Sequence, residues 1–268
     1  MKEHNLAEKM TREFYMKGNN QIAVVNHLVE LRNRIIWVII AFVLMFGVGL
    51  IIAGPIIEYL KLNPIAEGVP IISLHPSDAL RVYMQFAALV GGVGALPVAL
   101  YHIWRFVSVR LSARERRVTL YFIPAAFFLF VIGILFGYFI IFSMMMQFLA
   151  DLSNSMGITT KYGIGSYFDF MFQLVVPIGV LFELPIVVIF LTRLRILNPK
   201  ILSKMRRFAY FGIVVVTFIL TPPELLTEIL VTIPLLLLYE VSVWLSKVIY
   251  RKQQSEDARR EQEQAVTS

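Results

Sequence analysis

Twenty-two of the chain's 25 Lys and Arg residues fall in four short blocks, at 2–34, 105–117, 193–207 and 247–260, with long apolar stretches between them. Lys61, Arg81 and Lys161 are the three that lie in the gaps. Short loops that keep Lys and Arg stay on the cytoplasmic side of a membrane. The four blocks therefore predict four inner segments, both termini inside and an even number of crossings, which we count as six.

Composition fits that reading. With 58% hydrophobic and 16% charged residues and a mean hydropathy of +0.72, the chain has too little polar surface to cover a soluble globule of 268 residues. The pI near 9.6 arises from cations beside apolar spans, not from one basic stripe on a soluble domain, which argues against a nucleic-acid partner. The absence of cysteine excludes disulfides, thiol catalysis and Cys-ligated zinc. The polar first 34 residues run into a long apolar segment with no small-residue cleavage site, so no removable signal peptide is expected.

Uncharged runs place spans near 35–52, 82–103, 118–146 and 170–192, the last interrupted by Glu183. Two further runs, 208–220 and 229–239, are shorter than the roughly 20 residues a bilayer requires. Thirteen residues reach only about 20 Å at 1.5 Å per residue. Two short spans that thin the membrane and a re-entrant hairpin are both compatible with basic blocks on either side. The organisation expected is an N-terminal extension over 1–21, a single six-helix transmembrane domain over 22–250, and a disordered cytoplasmic tail over 251–268. Prolines at 55, 64, 70 and 76, and glycines at 157, 163 and 165, mark outer loops that cap the bundle, with short helical pieces near 56–62 and 77–81.

Polar groups inside apolar spans point to function because they are costly there. Glu183, in Val180-Leu-Phe-Glu-Leu-Pro185, is the clearest. It can serve a partner helix, relay a proton or make a packing hydrogen bond, and Pro177 and Pro185 beside it bend the helix and free carbonyls. Glu30 lies four residues before Arg34, the favourable orientation for a helical ion pair, and Glu115 lies among Arg114, Arg116 and Arg117. Both carboxylates can be local salt bridges, and both suit a receptor for a cationic peptide, since arginine pairs bidentately with carboxylate.

Covalent chemistry finds little support. The four histidines are scattered, with no spacing that would hold a metal. Ser166 after Gly163-Ile-Gly has no nearby base, and Gly91-Gly92-Val-Gly94 reads as small residues for close helix packing. The expectation is a protein that is not an enzyme and carries no metal or cofactor.

His27-Leu-Val-Glu-Leu-Arg-Asn-Arg34, Tyr101-His-Ile-Trp-Arg-Phe106, Ala113-Arg-Glu-Arg-Arg117, the stretch 133–142, Phe182-Glu-Leu-Pro185 and Leu220-Thr-Pro-Pro-Glu224 stand in the order and spacing of one family. Over roughly 22–250 the chain resembles TatC, the multi-spanning subunit of the twin-arginine, Sec-independent protein translocase. The resemblance implies an all-α, concave six-helix bundle in the bacterial cytoplasmic membrane that binds twin-arginine signal peptides. It also implies transport of folded proteins driven by the protonmotive force. Implied partners are TatA/TatB-type single-span proteins, membrane lipid and further copies of the chain within a larger complex.

Residue by residue, the resemblance implies signal-peptide contacts at Glu30, Glu115 and Phe106, with Arg32 and Arg34 in the same motif. It implies partner docking or intramembrane polar roles for Glu183, Thr221, Glu224, Glu228 and Glu240, and a role for Pro64 in the first outer loop. Val109-Arg110 stand where the family often has Pro-Gly or Pro-Ala, and Ser143 stands where many members have proline. The alternative is a proton-coupled small-solute transporter using Glu183. Such transporters usually carry internal repeats, and none is found in this sequence.

Overall fold

Long uncharged runs must satisfy their backbone groups internally, and a helix does so within each segment. The computed structural model describes residues 2–62, 71–108, 113–158, 161–220 and 225–267, with side chains described from Val29 onward except at 107, 113–115, 118, 220, 225–227, 230, 260, 261, 264, 266 and 267. Pro64, Thr221 and Glu224 lie outside the described residues, as does the side chain of Glu115.

The order is α1 (Lys2–Lys61), β1 (Ile71–Ile72), α2 (Asp78–Val107), α3 (Ala113–Leu120), α4 (Phe122–Phe136), a π-helical segment (Gly137–Phe142) and α5 (Ser143–Ser155). There follow β2 (Tyr162–Gly163), α6 (Ile164–Phe182), α7 (Leu184–Arg193), α8 (Pro199–Lys204), α9 (Arg206–Leu220) and α10 (Leu225–Thr267). Among the described residues five stretches are long and apolar enough to cross a membrane: Val29–Lys61, Asp78–Phe106, Phe122–Ser155, Ile164–Arg193 and Val231–Arg259. The third joins α4 to α5 through the π-helical segment, and the fourth joins α6 to α7.

The two final helices differ from each other more than the sequence suggests. With 15 residues, α9 rises only about 22 Å. By contrast α10 does not stop at Glu228 or Glu240 and continues for 43 residues. The carboxylates that bracket its apolar core are accommodated in the helix instead of ending it. Its far part is also ordered against the bundle: Gln253 is 5% exposed and donates to the Arg193 carbonyl oxygen at 3.0 Å. Residues 251–257, expected in a disordered tail, are helical in this structure, with Gln253 and Asp257 finding partners at Arg193, the end of α7, and Arg195 just after it. At the other end, α1 runs through residue 22 without a break and through Pro55 to Lys61, so no separate helix forms at 56–62.

Close packing depends on absent side chains. A Cβ on Gly133 would sit 2.7 Å from Phe182 Cβ and 2.9 Å from Gly179 Cα, so α4 and α6 touch backbone to backbone. A Cβ on Gly49 would meet the Ala87 carbonyl oxygen at 2.7 Å, which sets the approach of α1 to α2. Of the expected Gly91–Gly94 contact, Gly91 and Gly94 face α1, while Gly92 faces open space. Two apolar cores result. One gathers Ala53, Phe86, Phe142, Phe168 and Leu174 from α1, α2, the π-helical segment and α6. The other gathers Ile178, Phe182, Ile213, Leu235 and Val243 around α6, α9 and α10.

Described residues of all four basic blocks lie at one end of the bundle: Arg34 reaches His102, Trp104 and Thr119 share a cavity wall with Leu194 and Ile196, and Gln253 reaches Arg193. At the far end β1 pairs in parallel with β2, Ile71 against Tyr162 and Ile72 against Gly163. Asp78 Oδ2 accepts from the backbone N–H groups of Leu74 at 3.0 Å and His75 at 2.9 Å, which fixes the entry to α2. The strand pairing ties the two loops at this end together.

Candidate functional site

At the basic end, α1 and α2 present matching stripes. Leu31, Arg34, Ile35 and Val38 on α1, and Ala99, His102, Ile103 and Phe106 on α2, follow the i, i+3, i+4, i+7 spacing of one helical face. Together with Ile39 they line a cavity of about 310 Å³. Arg34 belongs to its wall and is 9% exposed. Its guanidinium pairs with Glu30 one turn back, donates from Nη1 to the His102 carbonyl oxygen at 2.7 Å, and lies 5.5 Å from the centre of the Phe106 ring. A charge held out of water needs such partners, and the carboxylate, the carbonyl and the ring face together supply them.

Three of the residues implied for peptide recognition are therefore neighbours: Glu30, Arg34 and Phe106. Arg32, two positions from Arg34 and so on another face of α1, is exposed and does not join them. Glu115 belongs to the first turn of α3. The placement of α3 rests on residues that the sequence reading did not single out. Trp104 Nε1 donates to Thr119 Oγ1 at 2.9 Å, inside the protein, and the Arg116 guanidinium lies 5.6 Å from the Trp104 ring centre. Indole and hydroxyl thereby fasten α3 to the end of α2.

Glu183 stands where α6 passes into α7. Pro185 has no N–H to give the Leu181 carbonyl, and the Glu183 N–H bonds instead to Val180 O at 3.1 Å, tightening the turn. The break therefore falls beside Pro185, while Pro177 is carried within α6. The side chain borders a cavity of about 300 Å³ between α2, α4 and α7, whose other walls include Leu100, Ile123, Ala126, Ile186 and Phe190. Glu183 Oε1 is buried with no hydrogen-bond partner among the described residues. An enclosed carboxyl oxygen without a hydrogen-bond partner is costly inside an apolar bundle.

Glu240 is differently placed. It binds Arg206 at 2.7 Å and accepts from the Tyr210 hydroxyl, so it joins α9 to α10. Glu228 lies in the first turn of α10, away from both cavities. A further polar cluster escaped the sequence reading: Asp169 on α6 accepts from Gln85 Nε2 at 2.5 Å and pairs with Arg81 at 3.0 Å. An acidic residue early in an apolar run, with a cation and an amide one turn apart on α2, was the available signal. Among the described residues no group of three or more His, Cys, Asp or Glu is placed to hold a metal ion.

The profile of one family, "Sec-independent protein translocase protein (TatC)", matches residues 26–234. The chain belongs to the TatC family. It is 45% identical over 246 residues to the Sec-independent protein translocase protein TatC of Halalkalibacterium halodurans, spanning 92% of this chain and 97% of that relative. To TatCy of Bacillus subtilis it is 43% identical, spanning 89% and 94%. To TatC of Escherichia coli it is 30% identical, spanning 84% and 88%. The fold matches a crystal structure of the twin arginine translocase receptor TatC with a TM-score of 0.72 at 34% identity, covering 83% of this chain and 99% of that one. A second, in DDM, gives 0.73 at 35%. The chain is accordingly a multi-pass membrane protein of the Sec-independent translocase family, located in the cell membrane. The transporter alternative receives no support from these comparisons.

Proposed function

We propose that this protein binds the paired arginines of signal peptides at the basic end of the bundle, through Glu30 and Glu115 with Phe106 beside them. The observation that carries the reading is the Glu30–Arg34–Phe106 group, in which a carboxylate and an aromatic face already hold one guanidinium. A site that suits this guanidinium suits another, and lysine, lacking the planar fork, fits it less well. The basic end is cytoplasmic in this reading, both termini are inside, and α9 is a sixth, short span that thins the bilayer.

Glu183 then accepts a polar group from a TatA/TatB-type single-span helix lying in the apolar hollow. By the resemblance, Thr221, Glu224 and Glu228 are residues that such helices dock against, Pro64 acts in the first outer loop, and Glu240 contributes by fixing α9 against α10. The domain over 22–250 acts by binding, without covalent chemistry, and the protonmotive force drives passage of the folded cargo.

The test is binding of an Arg-Arg signal peptide and its Lys-Lys counterpart to the purified protein in detergent. Arg-Arg binds more tightly, and Glu30→Gln or Glu115→Gln abolishes the difference. Equal binding of both peptides to wild type would sink the reading.

A further inference from the structure

We infer that Arg34 is a built-in stand-in for the signal arginine: it occupies Glu30, beside the α1–α2 cavity that it lines, until a ligand guanidinium takes its place. The inference rests on the peptide-binding reading above and adds to it a competitor and a second subsite.

The ion pair is lopsided. The Glu30 side chain is 52% exposed and that of Arg34 only 10%, so the carboxylate faces solution while the guanidinium faces the bundle. A ligand arginine can reach Glu30 from outside. Arg34, once displaced, keeps the His102 carbonyl at 2.7 Å and the Phe106 face. Nδ1 of the same His102 is buried and has no hydrogen-bond partner among the described residues. In the tautomer protonated at Nε2 it offers the displaced guanidinium a further acceptor. The exchange therefore strands no charge, and the buried positive end of the pair stays solvated by protein groups throughout.

The same side chain forms part of the wall of the cavity of about 310 Å³ that Leu31, Ile35, Val38, Ile39, Ala99 and Ile103 make apolar. Arg34 thus belongs at once to the ion pair with Glu30 and to the wall of that cavity. Its occupant is the aliphatic side chains of the apolar segment that follows the arginines in the same peptide. Charge at Glu30 and apolar surface a turn or two deeper match a ligand with cations first and hydrophobic residues after. Arg34 is thus a positioning residue that links the two subsites.

Simple competition makes a sharp forecast. Removing the competitor strengthens every cationic ligand of Glu30 by one common factor and leaves the Arg-Arg to Lys-Lys ratio unchanged, because that ratio is set by the fork geometry at the carboxylate. Wild type, Arg34→Gln, Arg34→Lys, Glu30→Gln and the Glu30→Gln/Arg34→Gln pair would be titrated with both peptides in detergent, with melting temperature as the fold control. Arg34→Gln should bind both peptides about three- to ten-fold more tightly, Arg34→Lys should show a smaller gain of the same sign, and the gain should vanish in the Glu30→Gln background. Should Arg34→Gln not fold, Arg34→Lys alone decides the sign. A folded Arg34 variant that binds both peptides more weakly, or no better than wild type, overturns the stand-in role. Failure of wild type to bind, or of Glu30→Gln to weaken binding, overturns the peptide-binding reading itself and the inference with it.

Discussion

Gln253 donates its side-chain N–H to the Arg193 carbonyl oxygen at 3.0 Å, so the last helix clasps the end of α7 well beyond the apolar core. One turn later Asp257 accepts from Arg195 Nη2 at 2.8 and 2.9 Å, at a residue with φ of 60°. The clasp holds the segment between α7 and α8 in a left-handed turn that a β-carbon ordinarily disfavours.

Truncation should therefore be tolerated to a defined point. Ending the chain after residue 263 leaves the clasp intact and should change the melting temperature little. Ending it after residue 250, or making Gln253→Ala, exposes the Arg193 carbonyl and should cost about 1–3 kcal/mol. Thermal unfolding in one detergent compares the three, and equal stability of all would show the clasp to be idle.

Trp104 and Thr119 form a buried side-chain pair, so breaking either half strands the other. Trp104→Phe and Thr119→Val should each destabilise by about 1–2 kcal/mol, and the double variant by less than their sum. Both should also weaken Arg-Arg peptide binding, since α3 carries Glu115. A strictly additive double-mutant cycle would show that the hydrogen bond does not couple the helices.

Small-residue contacts divide sharply by position. Gly133→Ala forces its methyl into Phe182 and the Gly179 backbone and should cost about 1–3 kcal/mol. Gly92→Ala has open space ahead of it and should be neutral or slightly stabilising through helix propensity. The order of their melting temperatures is the check.

Glu240 bonds to Arg206 and Tyr210 at side chains left more than a third exposed. Water screens such a pair, so Glu240→Gln should cost about 1 kcal/mol or less and leave peptide binding unaltered. Protease nicking between α9 and α10 is the sensitive measurement. A large loss of peptide affinity would instead tie Glu240 to the recognition site.

Five of the six expected spans and the gathering of basic residues at one end were legible in the chain because hydropathy and charge act locally. The Glu30–Arg34 pair was legible for the same reason, being four residues apart on one helix. The break beside Glu183 followed from Pro185, whose missing N–H is a property of the residue itself. By contrast, nothing local showed that Arg32 is exposed and Arg34 buried against α2, since burial depends on which face of α1 meets its neighbour.

By itself, then, the sequence determined the helical bundle, its basic end and the family to which it belongs, all of which rest on residue type and spacing. Tertiary structure decided the partners across distance: Arg34 with His102 and Phe106, Trp104 with Thr119, Glu240 with Arg206, Gln253 with Arg193, and β1 with β2. It also decided that α10 continues as an ordered helix past residue 251. Polar composition there permits disorder, but a buried amide and an ion pair on a neighbouring segment favour the folded arrangement, and those contacts exist only once the helices have packed.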